Sequence, residues 1–573
     1  MRITLLLLAA AATGWGARMV TPGDVSSSTE SLSSPARGVS AGNDGPRTDA
    51  PDDGSRFSAA NASVCSTSEQ LERGGCREIN LRSHVSAVAF EIALPLSASQ
   101  LQVLDLGHTL LHSQTLLKMA SVFSTTVFSA LTTVAVDNTK LESVSFGKFL
   151  NSLAFQPMFT SLDLKFSGVS TEMTVNLAKL MRHSRSLRHL YIDGNALGPR
   201  GVEILAEGLE GSNLEVLHAS GILAGVAGAA AIGKALEKNT RLHTLDLALN
   251  ELGDSGVQAL MAGLRKNPSN AVSTIRLSYN EITARGVEHL VTHLTVQNCP
   301  LHTLHIDNNL LQAAGAVFIS VALRFGGLTA LNVEHNAIGG NGAITLFDAA
   351  SRQDLRPLRP IHVLDVRYNF IDDASAIGLA AVLSNGSTLR AIDMSLNHIK
   401  HTGAQSLSDS FIYNDQLETI RLSYNSIGDR GAAALALWIR RRAGLKQLAQ
   451  IELQDTDISD VGAIELMDSL AEAAGSGRQV TTKLDLRRNH FLSKSLINGR
   501  LASFSPGGYA AKDDWQPLAP AKDGHGNIMK LDDPEDIERA ALAGTSERRE
   551  AFWSAGSTSE WPDSDLETRI DAI

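Results

Sequence analysis

The chain has 573 residues, 43% of them hydrophobic and only 5% aromatic, with a formal net charge of −11. With no basic excess, nucleic acid is a poor default partner, because phosphate recognition runs on clustered Lys and Arg. The apolar share is enough for one long core built of Leu, Ile, Val and Ala.

The N-terminus reads as a secretory leader. Arg2 supplies a short positive region, Ile3–Ala12 is an apolar run too short to span a bilayer, and small residues follow at Gly14, Gly16 and Ala17. Residues 1–17 are expected to be a signal peptide and the protein to be secreted; the alternative is an uncleaved apolar start on a cytoplasmic protein. No later stretch is apolar for the ~18 residues that a transmembrane helix needs. Residues 18–64, rich in Ser, Gly, Pro, Asp and Ala, cannot bury enough apolar surface to offset their chain entropy and are expected to be a disordered linker. Asn61 opens a glycosylation sequon there, and Asn385 opens a second one further on. Cys65 and Cys76 stand where the regular pattern begins; secretion lets them pair, and two reduced buried thiols are the alternative.

Residues 65–100 form an irregular first unit and N-terminal cap, and one frame then recurs over 101–490. Its clearest copy is LHTLDLALNELGDSGVQALMAGL, residues 242–264. Leu242, Leu245, Leu247 and Asn250 follow L-x-x-L-x-L-x-x-N, and Leu252, Gly256, Ala259, Leu260 and Leu264 follow at helical spacing. The unit thus switches from period 2 to period 3.6. Neither half can bury its apolar face alone, so copies must stack. Strong copies start at Leu187, Leu214, Leu242, Val272, Leu301, Leu328, Ile361, Leu389, Leu417 and Leu448. Weaker ones start at Cys76, Leu101, Leu131, Phe159 and Thr481. The pattern predicts an α/β leucine-rich repeat solenoid, a horseshoe with a parallel sheet on its concave face and helices on its convex face.

The Asn of the frame has a physical task. Where strand turns into loop, an inward amide can satisfy the N–H and C=O groups of adjacent turns, forming a ladder. It is present at Asn195, Asn250, Asn280, Asn309, Asn336, Asn369, Asn397, Asn425 and Asn489. His84, Thr109, Thr139, Ser167, Ile222 and Thr456 replace it elsewhere. Thr and Ser can do part of the work; Ile222 cannot, and a local defect is expected there.

Units such as LHTLDLALNELGDSGVQALMAGL and LETIRLSYNSIGDRGAAALALWI resemble ribonuclease-inhibitor-like leucine-rich repeats, over residues 187–490 and more weakly over 76–186. That subclass serves ribonuclease inhibitors, the sensor arrays of NOD-like receptors and Ran GTPase-activating proteins. The resemblance implies a horseshoe and protein binding. The chain departs from those relatives in having three cysteines, no G-x-x-x-x-G-K-[ST] loop and no long acidic tail of the Ran-activator kind.

On each strand the residues beside the inward Leu pair are expected to face solvent on the concave side. Tyr191, Asp246, Arg276, His305, Asp365, Asp393 and Arg421 are the candidate binding residues, mixed in charge and nearly without aromatics. His289 and His293 have the i, i+4 spacing of metal ligands but no third ligand, and read as a solvated helix face. No catalytic, cofactor or metal constellation emerges. Residues 491–573 leave the frame as an acidic tail in which Asp533-Pro534-Glu535 can start one helix, with Phe552 and Trp553 available for docking. The expected function is a non-enzymatic, secreted scaffold that recognises a protein partner on its concave face. The alternative is an intracellular regulator of a small GTPase.

Overall fold

The computed structural model describes residues 64–66, 76–80, 97–109, 111–296, 298–351, 360–384, 388–413, 416–441, 450–474, 482–489 and 491. All of them belong to the unit Ala60–Ile573. The leader, most of the linker, the sequons at Asn61 and Asn385 and the acidic tail beyond residue 491 lie outside the described residues.

One parallel sheet of sixteen strands runs in strict chain order. The strands are β1 Val64–Cys65, β2 Glu78–Asn80, β3 Val103–Asp105, β4 Thr133–Ala135, β5 Ser161–Asp163, β6 His189–Tyr191, β7 Val216–His218 and β8 Thr244–Asp246. They continue as β9 Thr274–Arg276, β10 Thr303–His305, β11 Ala330–Asn332, β12 Val363–Asp365, β13 Ala391–Asp393, β14 Thr419–Arg421, β15 Gln450–Glu452 and β16 Lys483–Asp485. Strand β1 stands one place ahead of the first unit legible in the sequence. Helices alternate with the strands: α1 Ser113–Thr125, α2 Ser143–Leu153, α3 Thr171–His183, α4 Gly198–Leu209, α5 Gly225–Leu236, α6 Gly253–Lys266 and α7 Ala284–Leu294. After them come α8 Gln312–Phe325, α9 Gly339–Ser351, α10 Asp373–Leu383, α11 His401–Ser410, α12 Gly428–Arg441 and α13 Asp460–Ala474.

The alternation of the frame decides what is buried. Leu245, Ile275, Leu304, Leu331 and Leu364, at the middle of their strands, are fully buried, as are Leu247, Leu277, Ile306, Val333 and Val366 two positions on. They meet the inward helix faces, such as Val257, Leu260, Met261 and Leu264 of α6, in one core cluster that runs from Cys76 to Leu486. A helix is about 10 Å wide while strands sit about 4.8 Å apart, so stacking such units bends the array with the sheet inside. Small residues let the helices approach: a Cβ on Gly263 of α6 would collide with the carbonyl oxygen of Gly233 of α5. Among the described residues no helix is long and apolar enough to cross a membrane.

Asn280 shows how the turns are joined. Its Nδ2 donates to the carbonyls of Leu247 (2.8 Å) and Ser278 (3.1 Å). Its Oδ1 accepts from the N–H groups of Asn250 (3.0 Å) and Leu252 (3.2 Å). Asn309 does the same for Asn280 and Ile282, and Asn369 for Asn336 and Ile338. Where the next unit lacks an Asn, the loop closes on itself. Ahead of Ile222, Leu197 N–H turns to the carbonyl of Asn195 (2.9 Å), and Asp193 Oδ1 accepts from Ser220 N–H (2.8 Å). Ahead of Thr456, Ile427 N–H turns to the carbonyl of Asn425 (3.0 Å) in the same way. Ile222 itself is fully buried in the core, so the position has exchanged an amide for packing, and Leu197 N–H is rerouted to its own loop.

Two further joints carry no signature in the frame. Asp254 of α6 caps the following helix α7, its Oδ1 accepting from Thr283 N–H (2.8 Å) and Gly286 N–H (2.9 Å). Asp373 and Asp429 cap α11 and α13 likewise, through Gly403 N–H (2.9 Å) and Gly462 N–H (3.1 Å). These carboxylates sit where helix N-termini leave N–H groups unsatisfied. At the other helix ends, Asn239 donates to the carbonyl of Leu209 (2.7 Å) and Asn267 to that of Leu236 (2.8 Å).

Candidate binding face

The third residue of each strand points away from the buried Leu beside it, onto the concave face. The strand register aligns these residues in one row: Asp246, Arg276, His305, Asn332, Asp365, Asp393, Arg421, Glu452 and Asp485. Upstream the same row continues through His218, Tyr191 and Asp163. A second row, two residues further along, includes Asp137, Lys165, Asp193, Asp307, Glu334, Arg367 and Arg487.

The reading of this row as solvent-facing needs correction. Asp246, His305, Asp365 and Asp393 are buried, and Tyr191, Arg276 and Arg421 are half-buried. The cause is the sheet itself. Neighbouring strands lie closer together than the reach of an Arg or Glu, so opposite charges on adjacent strands fold onto one another.

Between β11 and β15 they form a continuous lattice. Arg367 Nε donates to both carboxylate oxygens of Asp365 (3.0 and 2.8 Å), while its Nη2 lies 2.8 Å from Glu334 and its Nε 3.7 Å from Asp393. Arg421 then links Asp393 (3.6 Å) to Glu452 (3.0 Å). Burial pushes the Asp365 carboxyl up to about 6, with Arg367 opposing and Asp393 adding to the shift. Burial also raises Glu452, against the pull of Arg421.

A second cluster spans β5 to β9. Lys165 Nζ lies 3.9 Å from both Asp163 and Asp193 and 4.9 Å from the centre of the Tyr191 ring. Burial, then the nearby charge of Asp246, pushes Asp193 up to about 7. Asp246 is 4.0 Å from His218 and 4.0 Å from Arg276. Between the clusters, His305 is pulled down to about 3 by burial and then by Arg276. It is therefore neutral at ordinary pH, and its Nε2 is buried without a hydrogen bond.

Sequence reasoning missed a third row. The residue just before each ladder position takes a left-handed conformation: His108, Asn138, Phe166, Gly194, Gly221, Leu249, Tyr279, Asn308, His335, Tyr368, Leu396, Tyr424, Asp455 and Arg488. It is far richer in aromatics than the strands. His335 and Tyr368 lie 4.5 Å apart between ring centres, Tyr368 and Phe370 6.2 Å, and Phe370 and His398 6.0 Å. Tyr424 Oη accepts from Arg488 (2.8 Å). The signal was the eighth position of the frame, read as Tyr-Asn three times, at Tyr279, Tyr368 and Tyr424.

On the helix side the paired histidines also need correction. His289 is half-buried, but His293 is buried rather than solvated. Its Nε2 lies 3.6 Å from Cys299 Sγ, and burial followed by Arg265 lowers it to about 4. The helix turns His293 toward the loop before β10, a direction that i, i+4 counting alone does not give. Cys299 is in no disulfide, whereas Cys76 is buried and disulfide-bonded. No group of three or more His, Cys, Asp or Glu among the described residues is arranged to hold a metal ion.

The leucine-rich repeat family profile matches residues 183–206, 238–261, 328–347, 387–408 and 414–436. The ribonuclease inhibitor of Sus scrofa is 27% identical over 320 residues, which cover 55% of this chain and 67% of that protein. The NACHT, LRR and PYD domains-containing protein 12 of Mus musculus is 29% identical over 251 residues, 44% of this chain. The match spans only 21% of that mouse protein's length. Among solved structures, the Rad7 and Elc1 complex in yeast is similar at a TM-score of 0.40 and 15% identity, over 61% of this chain and 85% of that one.

Proposed function

We propose that this chain, which is a ribonuclease-inhibitor-like leucine-rich repeat protein, is a secreted, non-enzymatic scaffold that holds a basic protein on the concave face of its sheet. One observation carries the reading. Among the described residues of the two strand rows, Asp105, Asp137, Asp163, Asp193, Asp246, Asp307, Glu334, Asp365, Asp393, Glu452 and Asp485 stand against Lys165, Arg276, Arg367, Arg421 and Arg487. Each of those five cations already lies within 4.0 Å of a carboxylate on the same face. A partner therefore meets surplus negative charge, and complementary charge steers encounter and fixes register. The pig relative is by name an inhibitor of a ribonuclease; what we carry over is the use of a repeat array as a binding scaffold, not that target.

Secretion is supported by the leader-like residues 1–17 and by the disulfide at Cys76, for which we take Cys65 as the partner, since disulfides persist in oxidising compartments. Secreted material should begin between about Gly16 and Thr21. Recovery of an intact Met1 from cytosol contradicts secretion and returns the GTPase-regulator reading.

Capture on the immobilised full-length protein tests the face. Retained proteins should be basic and should elute with salt. Binding should fall with Asp105→Asn together with Asp163→Asn, both half-buried. It should persist with Glu203→Gln together with Glu207→Gln on α4. Acidic retained proteins, or loss with the α4 variant alone, contradict the reading.

A further inference from the structure

The concave face has one part whose chemistry the charge count does not explain. At the downstream ends of β11 to β13, the rings of His335, Tyr368, Phe370 and His398 follow one another at 4.5, 6.2 and 6.0 Å, the last pair stacked at 29°. Tyr368 and Phe370 both hold a left-handed backbone, with φ of 52° and 59°. Bulky L-residues adopt that region at a cost of about 1–2 kcal/mol. At the position of Tyr368 the same turn is made by Gly194, Gly221, Asn138 and Asn308 but also by Leu249, Leu396, Tyr279 and Tyr424, and at the position of Phe370 by Gly168, Glu251, Glu281 and Ala337. The repeat frame imposes this conformation whatever the side chain, so backbone geometry does not account for the two rings.

The ledge is accessible and bordered by negative charge. Tyr368 and Phe370 are half-buried and His398 is exposed, while His335 behind them is buried, its Nδ1 3.1 Å from Asn308 Oδ1. Asp372, two residues past Phe370 and bridged to His398 in the backbone, is exposed. The Ser375 hydroxyl and N–H donate to it and hold its carboxyl below the usual range, so it is ionised. Glu334, which precedes His335 at the other end, is buried and already 2.8 Å from Arg367, so Asp372 is the carboxylate the ledge offers. The molecule shows elsewhere on the same face what such a setting holds: the Lys165 amine lies over the Tyr191 ring and between two carboxylates.

We propose that the ledge formed by Tyr368, Phe370 and His398, backed by the buried His335, seats Arg side chains of the basic partner, each guanidinium lying flat on a ring with its edge toward Asp372. This rests on the reading of the concave face given above and names the site within it. Arg fits better than Lys because its planar fork can stack and donate sideways at once. Stacked bases of single-stranded RNA also suit aromatic ledges, but their phosphates would lie beside the ionised Asp372 on a face with surplus carboxylates, so the charge favours protein.

The test is fluorescence anisotropy on the full-length protein with three labelled probes: a short oligo-arginine peptide, a matched oligo-lysine peptide and oligouridine. The wild type should bind oligo-arginine most tightly. Tyr368→Leu with Phe370→Leu keeps apolar volume and removes the π faces; it should weaken oligo-arginine about tenfold and abolish the preference over oligo-lysine. If that double variant melts early, His398→Leu on an exposed side chain is read instead, with a loss of about threefold. Unchanged oligo-arginine affinity in a folded ledge variant overturns the ledge, and so does equal wild-type binding of the two peptides. The reading of the face survives either result provided Asp105→Asn with Asp163→Asn still weakens both peptides. If neither peptide binds the wild type, the reading of the face fails too. Tighter binding of oligouridine overturns the proposal in favour of nucleic acid.

Discussion

The joints between β3 and β5 are held differently from those between β8 and β14. In the first region Thr109, Thr139 and Ser167 stand where the later units have Asn. Each hydroxyl has a single proton to donate: Thr109 gives it to the carbonyl of Leu106 (2.6 Å), Thr139 to that of Val136 (2.6 Å), and Ser167 shares it between those of Val136 of the preceding unit (2.7 Å) and Lys165 (3.1 Å). In the second region one amide both donates and accepts, and Asn280 alone makes four bonds to the backbone of two units. A hydroxyl donates one proton to carbonyls, whereas an amide also accepts from the N–H groups of the neighbouring turn and so ties two repeats by several bonds. Coupling between repeats in a solenoid is a nearest-neighbour quantity, so the later region should open as a larger cooperative block.

The largest effect on that contrast should come from Asn280→Leu, which leaves several buried backbone groups unsatisfied and should lower stability by about 1–3 kcal/mol. Thr139→Val removes one bond and should lower it by about 1 kcal/mol or less. Denaturant unfolding of both variants ranks them, and an equal loss would erase the distinction between the regions. Next, Asp254→Ala strips the cap from α7 and should cost about 1 kcal/mol. Hydrogen exchange at Thr283 and Gly286 should then quicken while that in α4 is unchanged.

The two charge clusters give a smaller, pH-dependent effect. A carboxyl whose folded value is raised holds its proton in the folded chain over pH values at which the unfolded chain has lost it. Its contribution to stability is present below its ordinary value of about 4. It is lost as pH rises through about 7 for Asp193 and about 6 for Asp365. Asp193→Asn should therefore flatten the fall in melting temperature between those limits, and Asp365→Asn should do so over a narrower range. An undiminished slope in both variants contradicts the assigned burial. The smallest effect should be that of Ile222→Asn, within about 0.5 kcal/mol: the amide regains ladder bonds, but a buried aliphatic contact is lost and the Asn195 loop is already closed. A large change of either sign in its melting temperature would show that the rerouted loop is not equivalent to the ladder.

The frame was legible because burial follows a fixed spacing: Leu245, Leu247 and Asn250 each have one geometric solution once units stack. The concave row was legible as positions and not as environments. That Asp365 is buried depends on Arg367, two residues past its strand, and on Asp393 of the next strand, and an unaligned string of residues does not display cross-strand neighbours. The aromatic ledge was missed because strand alternation assigns a direction only within the strand; Tyr368 and Phe370 lie just past it, where a left-handed turn resets the direction. His293 was misplaced for a related reason: its spacing from His289 is helical, but which of the two meets Cys299 depends on the helix's rotation against its neighbours.

The central claim, that a basic protein sits on the concave sheet, is tested most directly by hydrogen exchange on the full-length protein with and without the captured partner. The account predicts protection in the loops that follow β5 to β13, including Tyr191–Asn195 and Arg367–Phe370, with exchange in helices α4 to α10 unchanged. Protection confined to those helices, with the strand-end loops exchanging as they do in the isolated protein, would contradict it.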